Sequence, residues 1–314
     1  MSLDVARSNM TASDHTWTVP TVGGEAPDGK RTHARRITAA HPTRLVIGPI
    51  HIAHEGEDMN PVIRTVAVTK RYTLGKDNEV VALRGATVEI GAGEMVAIVG
   101  PSGSGKSTML HLIGCLDNPD SGRVLVNGRR VDNLKSAELT RVRSREIGFI
   151  FQGFNLIPTM NAIDNVALAA EYAGVSRREA IERAEDLLAL VGLGDRTRHL
   201  PSELSGGQQQ RVAIARSLVN EPAIVLGDEP TGDLDSSTSD EIVALLRKIN
   251  VETGTTFVLV THNPEVAAAC DRTISMRDGA VVDQGFDVPR SKEAGRRGSV
   301  TDFEISRLPT AACR

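Results

Sequence analysis

The stretch MVAIVGPSGSGKSTMLHLIG, residues 95–114, constrains the fold more than any other part of the chain. An aliphatic run, a glycine-rich turn and an apolar-periodic segment follow in direct succession. That is the pattern of a buried strand feeding a loop that opens a helix. A helix N-terminus presents unpaired N–H groups and a partial positive charge, so a glycine turn ahead of it forms an anion site. GPSGSGKS matches G-x-x-x-x-G-K-[ST], and the strand before it and the helix after it supply the context the motif requires. The loop runs through Gly100, Pro101, Ser102, Gly103, Ser104, Gly105, Lys106, Ser107 and Thr108. Gly103 and Gly105 let backbone N–H groups approach phosphate oxygens with no Cβ in the way. Lys106 is expected to neutralise the β- and γ-phosphates of a nucleotide, and Ser107 to ligate Mg²⁺.

Three further apolar runs end on polar residues. IGFIFQ ends at Gln152, AIVLGDE at Asp228 and Glu229, and TTFVLVTH at His262. Continuous β-branched and aliphatic runs, as opposed to alternating ones, read as strands buried on both faces of a parallel sheet. Helical periods separate them. SSTSDEIVALLRKINVETG places Ile242, Leu245, Leu246 and Ile249 on one face, with Gly254 as its C-terminal stop. The expectation is a doubly wound α/β sheet that binds its ligand beyond the carboxyl ends of the strands. Residues 153–205 interrupt this alternation. There SRREAIERAEDLLALVGLG carries Ser176 and Glu179 in capping-box spacing, with Ile181, Ala184, Leu187, Leu188 and Val191 on one face. This block predicts an inserted helical subdomain.

Asp228, at a strand end, is placed to reach a Mg²⁺ shell. Glu229 follows, points elsewhere, and is free to accept a proton from an attacking water. Gln152 and His262 carry an amide and an imidazole suited to orienting water or contacting a γ-phosphate; Gln152 is also a candidate metal ligand. Either alone is more often a structural polar residue, but together with the loop both read as functional. Tyr72, ahead of the loop, has two readings: it stacks on adenine, or it packs. A second glycine turn, LSGGQQQR at 204–211, also runs into a helical pattern but has no lysine.

With phosphate loop, glutamine, LSGGQ, DEP, LD and TH in that order, the chain resembles the ATP-binding subunit of an ABC transporter over about residues 61–286. The resemblance implies a phosphate-loop (RecA-like) α/β core with a mainly parallel sheet, an antiparallel β segment and the inserted α-helical subdomain. It implies that Ser205, Gly206, Gly207 and Gln208 form the signature motif, that Asp235 lies in the D-loop, that His262 is the switch histidine and that Glu229 is the catalytic base. ATP and Mg²⁺ are the implied ligands. An integral-membrane permease is the implied partner, and two subunits would form a head-to-tail dimer when ATP is bound. Each signature turn would then cap the γ-phosphate held by the other subunit's Lys106 loop. A cradle without a lysine or magnesium ligand makes sense as half of a shared site. LHLIGCLDNPDSGRVLVNG, FIFQGFNLIP and DEPTGDLD look like the group of macrolide exporters, lipoprotein-releasing ATPases and peptide-antibiotic exporters. The alternatives are a cell-division-type ATPase regulating wall hydrolases and a non-transport ABC ATPase.

The formal charge of −4 and pI near 6.1 give no polyanion signal, so nucleic acid is not an expected partner. Cys115, Cys270 and Cys313 are far apart and make no CxxC pair, which argues against a disulfide framework or zinc site. No apolar run reaches the roughly 18 residues of a membrane span. The expectation is a cytoplasmic chain held at the inner face of the membrane through its permease. Residues 1–60 lack a sustained period and are expected to be a disordered extension, with scattered histidines (His15, His33, His41, His51, His54), Arg35-Arg36 followed by no apolar segment, and Met59 as an alternative start. Residues 287–314, with RRGSV around Ser299, read as an exposed tail.

Overall fold

The computed structural model describes residues 61–74 and 78–285. The expectations for the extension 1–60 and the tail 287–314 lie outside those residues. The chain runs through β1 (Ile63–Leu74), β2 (Asn78–Ile90), β3 (Met95–Val99) and α1 (Lys106–Ile113). It continues with β4 (Ser121–Val126), β5 (Arg129–Arg130), α2 (Ser136–Glu146) and β6 (Ile147–Phe151). Helices α3 (Ala162–Tyr172), α4 (Arg177–Leu190) and α5 (Gly206–Leu218) come next. Then β7 (Ile224–Asp228), α6 (Ser236–Thr253), β8 (Thr256–Val260), α7 (Pro264–Ala268), β9 (Arg272–Arg277) and β10 (Ala280–Asp283) complete it.

The apolar runs do become one parallel sheet. Its order is β10-β9-β3-β8-β7-β6, with every pairing parallel except β9 with the edge strand β10. The register aligns the strand ends: Phe151 opposes Asp228, Asp228 opposes Val260, and Val260 opposes Ile98. Gln152, Glu229 and Gly100 therefore leave the sheet along one edge, with His262 just beyond. Continuous burial explains why these strands do not alternate; every residue of β8 is buried.

A second sheet, β2-β1-β4-β5, is antiparallel throughout. Helix α1 lies between the two sheets. Its Met109, Leu112 and Ile113 share one core with Ile63, Val88, Ile90 and Val124 of the antiparallel sheet and with Ile98, Val258 and Val260 of the parallel one. Each side chain fully buried there contributes about 1.5–3 kcal/mol. The helix is thereby clamped from both sides, which fixes the glycine loop at its N-terminus. On the other face of the parallel sheet, Val225, Phe257 and Leu259 pack with Val166, Leu188, Val212 and Leu246 from α3, α4, α5 and α6.

Two local expectations are corrected or sharpened. At α4 only half of the capping box forms: Ser176 accepts from the Glu179 N–H at 3.4 Å, but the Glu179 carboxylate turns to Arg183 at 2.7 Å. The i,i+4 arginine competes successfully for that carboxylate. Gly254 stops α6 with φ 70°, its N–H donating to the Asn250 carbonyl, the left-handed cap that glycine adopts without a Cβ penalty. Among the described residues, no helix is long and apolar enough to cross a membrane.

Candidate functional site

The loop between β3 and α1 needs its glycines for contact with the protein itself. A Cβ on Gly100 would stand 2.2 Å from the Met276 carbonyl oxygen, and one on Gly105 (φ 97°) 2.5 Å from the Ala82 oxygen. The loop is thus pressed against β9 and β2. Gly103, at φ 77°, has open space around it. Lys106 Nζ donates to the carbonyls of Gly100 at 2.9 Å and Pro101 at 3.0 Å, holding its charge within the curve of the loop. Ser104 departs from the sequence reading. Its side chain is buried and its N–H donates to the Pro101 carbonyl at 3.2 Å, so it shapes the loop from inside and does not face the cleft.

Tyr72, Lys106, Ser107, Asp228, Glu229 and His262 line one cleft of about 570 Å³. Ser107 Oγ donates to Asp228 Oδ1 at 3.3 Å. Burial raises the Asp228 pKa above its ordinary value; the neighbouring Glu229 adds to this, while the Ser107 hydrogen bond and the charges of His111 and Lys106 oppose it. A hydroxyl and a carboxylate are hard oxygen donors. Among the described residues no group of three or more His, Cys, Asp or Glu is poised to hold a metal. A cation on Ser107 and Asp228 would therefore complete its shell with phosphate and water oxygens, which is how Mg²⁺ is commonly held and which fits this pair.

Glu229 is one residue past the end of β7, in a left-handed conformation with φ 48°, a strain of about 1–3 kcal/mol for a non-glycine residue. Its N–H donates to the Val260 carbonyl at 2.9 Å, which ties the turn to β8. The strain swings its carboxylate away from Asp228 and onto His262. The imidazole Nδ1 lies 2.8 Å from Glu229 Oε1, and the His262 N–H donates to Oε2 at 3.4 Å. A carboxylate only accepts, so Nδ1 carries the hydrogen. The Glu229 side chain is 19% exposed and that of His262 74%, leaving the pair open to a water in the cleft.

The remaining expected residues gather elsewhere. Gln152 is outside the cleft, and its Nε2 donates to Asp233 Oδ1 at 2.7 Å, beside Gly232. Its backbone lies beside Asp228 in the sheet register, while its amide is engaged by Asp233. Ser205 caps α5: its Oγ accepts from the Gln208 N–H at 3.3 Å while Gln208 Oε1 accepts from the Ser205 N–H at 3.0 Å. Gly206 packs on Leu234 and Phe154, and Gly207 faces Thr238. Asp235 caps α6, accepting from the Thr238 N–H, the Thr238 hydroxyl and the Ser237 hydroxyl. Those hydrogen bonds hold its carboxyl well below the usual range. The second glycine turn thus joins the Gln152 and Asp235 segments in a group apart from the cleft.

Two residues given no role by the sequence reading prove structurally central. Asp233 fixes Gln152. Gln210, fully buried in α5, donates from Nε2 to the Pro230 carbonyl, linking the signature helix to the turn that carries Glu229. Its place inside LSGGQQQR was the one available signal.

The ABC transporter family model matches residues 83–232. The chain is 48% identical over 242 residues to the macrolide export ATP-binding/permease protein MacB of Rhodopirellula baltica, covering 75% of this chain and 35% of that protein. It is 47% identical over 224 residues to the lipoprotein-releasing system ATP-binding protein LolD of Cereibacter sphaeroides, covering 71% and 100%. A solved dimeric ATP-binding cassette in a post-hydrolysis state, bound to ADP and Pi, superposes with a TM-score of 0.66 at 45% identity, covering 71% of this chain and 97% of that one. The chain spans about a third of the MacB relative and the whole of the LolD relative. With the phosphate loop, the Asp228–Glu229 turn and the LSGGQ helix all in place, the chain belongs to the ABC transporter family, as one of its ATP-binding subunits.

Proposed function

We propose that the chain hydrolyses ATP in the cleft between Lys106 and Glu229 and thereby drives an integral-membrane permease from the cytoplasmic side. The observation that carries this reading is the convergence of Lys106, the Ser107–Asp228 pair and the Glu229–His262 pair on one edge of the parallel sheet. Lys106 sets its charge against the β- and γ-phosphates, and the loop N–H groups cradle them. Ser107 and Asp228 hold Mg²⁺, which when bound neutralises charge on the phosphates. Glu229 accepts the proton of the attacking water, and His262, donating through Nδ1, fixes the carboxylate that takes it. In this reading residues 61–286 are the ATP-binding domain, with 153–205 as its helical subdomain.

The signature turn, Ser205 to Gln208, and the Asp235 segment serve the site of a second copy, in a head-to-tail dimer that forms with ATP. Their separation from the chain's own cleft and the dimeric state of the solved relative support this. Gln152 belongs to that group and follows Phe151 of the permease groove, and it reaches the nucleotide when the dimer closes. The MacB and LolD relatives support export or extraction of a macrolide, peptide or lipoprotein as the work performed.

The permease surface is the groove of about 410 Å³ beside residues 154–160, walled by Leu116, Phe149, Phe151 and Tyr172. Phe149 and Phe151 stack at 5.8 Å, and Arg216 donates to the carbonyls of Phe154 and Asn155, so the groove has a firm wall. Tyr172 is 81% exposed and free to be replaced without loss of core. In proteoliposomes containing the permease, Tyr172→Asp is expected to remove most of the permease-dependent stimulation of phosphate release while ATP affinity stays unchanged. Full stimulation with weakened ATP binding would show that the groove is not the docking surface.

A further inference from the structure

Tyr72 lines the nucleotide cleft near the end of β1, its ring half-buried. What fixes that ring comes from far along the chain. The phenol donates to Asp117 Oδ2 at 3.0 Å. Lys70 Nζ donates to Asp117 Oδ1 at 2.7 Å and to the Asn118 carbonyl at 2.8 Å. The same ammonium lies over the Tyr72 ring, 5.2 Å from its centroid, within cation–π range. The Lys70 side chain is only 11% exposed, so water screens this cluster far less than an ordinary surface pair.

Asp117 is itself held in place. Its N–H donates to the His111 carbonyl in the last turn of α1 at 3.3 Å, and its Oδ1 accepts from the Asn118 N–H at 2.7 Å. Burial alone would raise the Asp117 carboxyl, but hydrogen bonds from Lys70, Asn118 and Tyr72 outweigh it and hold the group below its usual range. Helix α1 begins at Lys106. A continuous set of contacts therefore runs from the Tyr72 ring through Asp117 and along α1 to the phosphate loop.

We infer that Asp117 and Lys70 are positioning residues for nucleoside recognition: they lock the Tyr72 ring as a one-sided platform for the base at a fixed distance from the phosphate loop. The ammonium covers one face and leaves the other for stacking. A ring ordered before binding loses no rotamer freedom when the base arrives, an advantage of about threefold to tenfold in affinity. The inference rests on the reading of the cleft as the ATP site.

The test is calorimetric titration of the full chain with Mg²⁺ and either ATP or inorganic tripolyphosphate, which keeps the phosphates and lacks the base. Tyr72→Ala is expected to weaken ATP binding about tenfold, as loss of a stacking aromatic does, and to leave tripolyphosphate binding unchanged. Asp117→Ala and Lys70→Met are expected to weaken ATP about threefold to tenfold, again sparing tripolyphosphate. Tyr72→Phe keeps the ring but drops the hydroxyl, so it matches Asp117→Ala, and the double variant loses no more than either single one. If Asp117→Ala weakens both ligands alike, the residue only supports α1 and the inference is overturned. It is overturned equally if Asp117→Ala and Lys70→Met bind ATP normally while Tyr72→Ala does not. If Tyr72→Ala itself binds ATP normally, the base does not sit on this ring and the underlying reading of the cleft is at fault. Should Asp117→Ala fail to fold, Tyr72→Phe and Lys70→Met carry the same comparison.

Discussion

The two glycine turns of this chain use the same opening move, a flexible residue ahead of a helix N-terminus, and finish differently. In the first, the protein packs so closely that Gly100 and Gly105 leave no room for a Cβ against carbonyl oxygens of neighbouring strands, and Lys106 places a full charge inside the curve. In the second, Ser205 and Gln208 spend their side chains on each other's backbone, and the two glycines meet side-chain carbons of Leu234, Phe154 and Thr238. One turn is shaped from within and charged. The other is capped and neutral, with the N–H groups of its first helical residues lacking intrahelical acceptors. A site that must hold a triphosphate alone needs the first kind. A site that closes over phosphates already held elsewhere can manage with the second.

The largest effect separating the turns should come from Lys106→Ala. It removes the side-chain charge of the first turn, and turnover is expected to fall by about 10²–10³-fold or more, as when a key electrostatic partner of a transition state is lost, together with weaker ATP binding. Steady-state phosphate release by the purified variant checks this, and near-normal turnover would erase the distinction between the two turns.

The next effect is sharper in form. Glu229→Gln keeps size and polarity but removes basicity, so water activation fails while both turns remain intact. Bound ATP should then persist and bridge two copies. Light scattering at one protein concentration and one magnesium level is expected to show a dimer only with ATP. Adding Ser205→Arg, which breaks the capping box and fills the second turn, should return the monomer while ATP still binds. An ATP-loaded Glu229→Gln that stays monomeric well above micromolar concentration, with the permease or without it, would leave the second turn unexplained.

The same contrast explains what was legible before the fold was known. Strands β3, β6, β7 and β8 are buried on both faces, so each reads as an unbroken apolar run, and the register then brings Gln152, Glu229 and Gly100 to one edge. The antiparallel pair β1 and β2 was hidden, and was anticipated only through family likeness. Its register slips between Thr65 and Val68, between Val68 and Lys70 and between Lys70 and Arg71. Ala67 also takes a positive φ of 48°. Each slip moves later side chains to the opposite face, so the two-residue period never accumulates. Residues fixed by local spacing were readable: the phosphate loop, the Asp228–Glu229 turn, the Ser205–Gln208 box. Partners brought together by topology were not. Asp233 meets Gln152 from 81 positions away, and Asp117 meets Tyr72 from 45; no sequence window holds both members of either pair.

The smallest effect is on stability, and it tests why each turn is glycine. Gly100→Ala would drive a methyl to 2.2 Å from the Met276 carbonyl oxygen, with backbone on both sides of the contact. Overpacking against backbone of this kind is expected to cost about 3 kcal/mol. Gly103→Ala meets no atom within 4 Å but must hold φ at 77°, for about 1–2 kcal/mol. Gly206 is different: it is the first residue of α5, and its Cβ would find Leu234 at 3.4 Å and Phe154 at 3.6 Å. Contacts of that length need little rearrangement, and alanine is the better helix former, so Gly206→Ala should match or exceed wild type by up to about 1 kcal/mol. Urea unfolding of the three variants at one pH gives the ranking directly. If Gly206→Ala is as damaging as Gly100→Ala, the second turn is shaped by its own protein after all. If it is stable, yet the ATP-dependent dimer of Glu229→Gln weakens when it is added, then the missing side chain at Gly206 serves the phosphate of another copy and not the fold of its own.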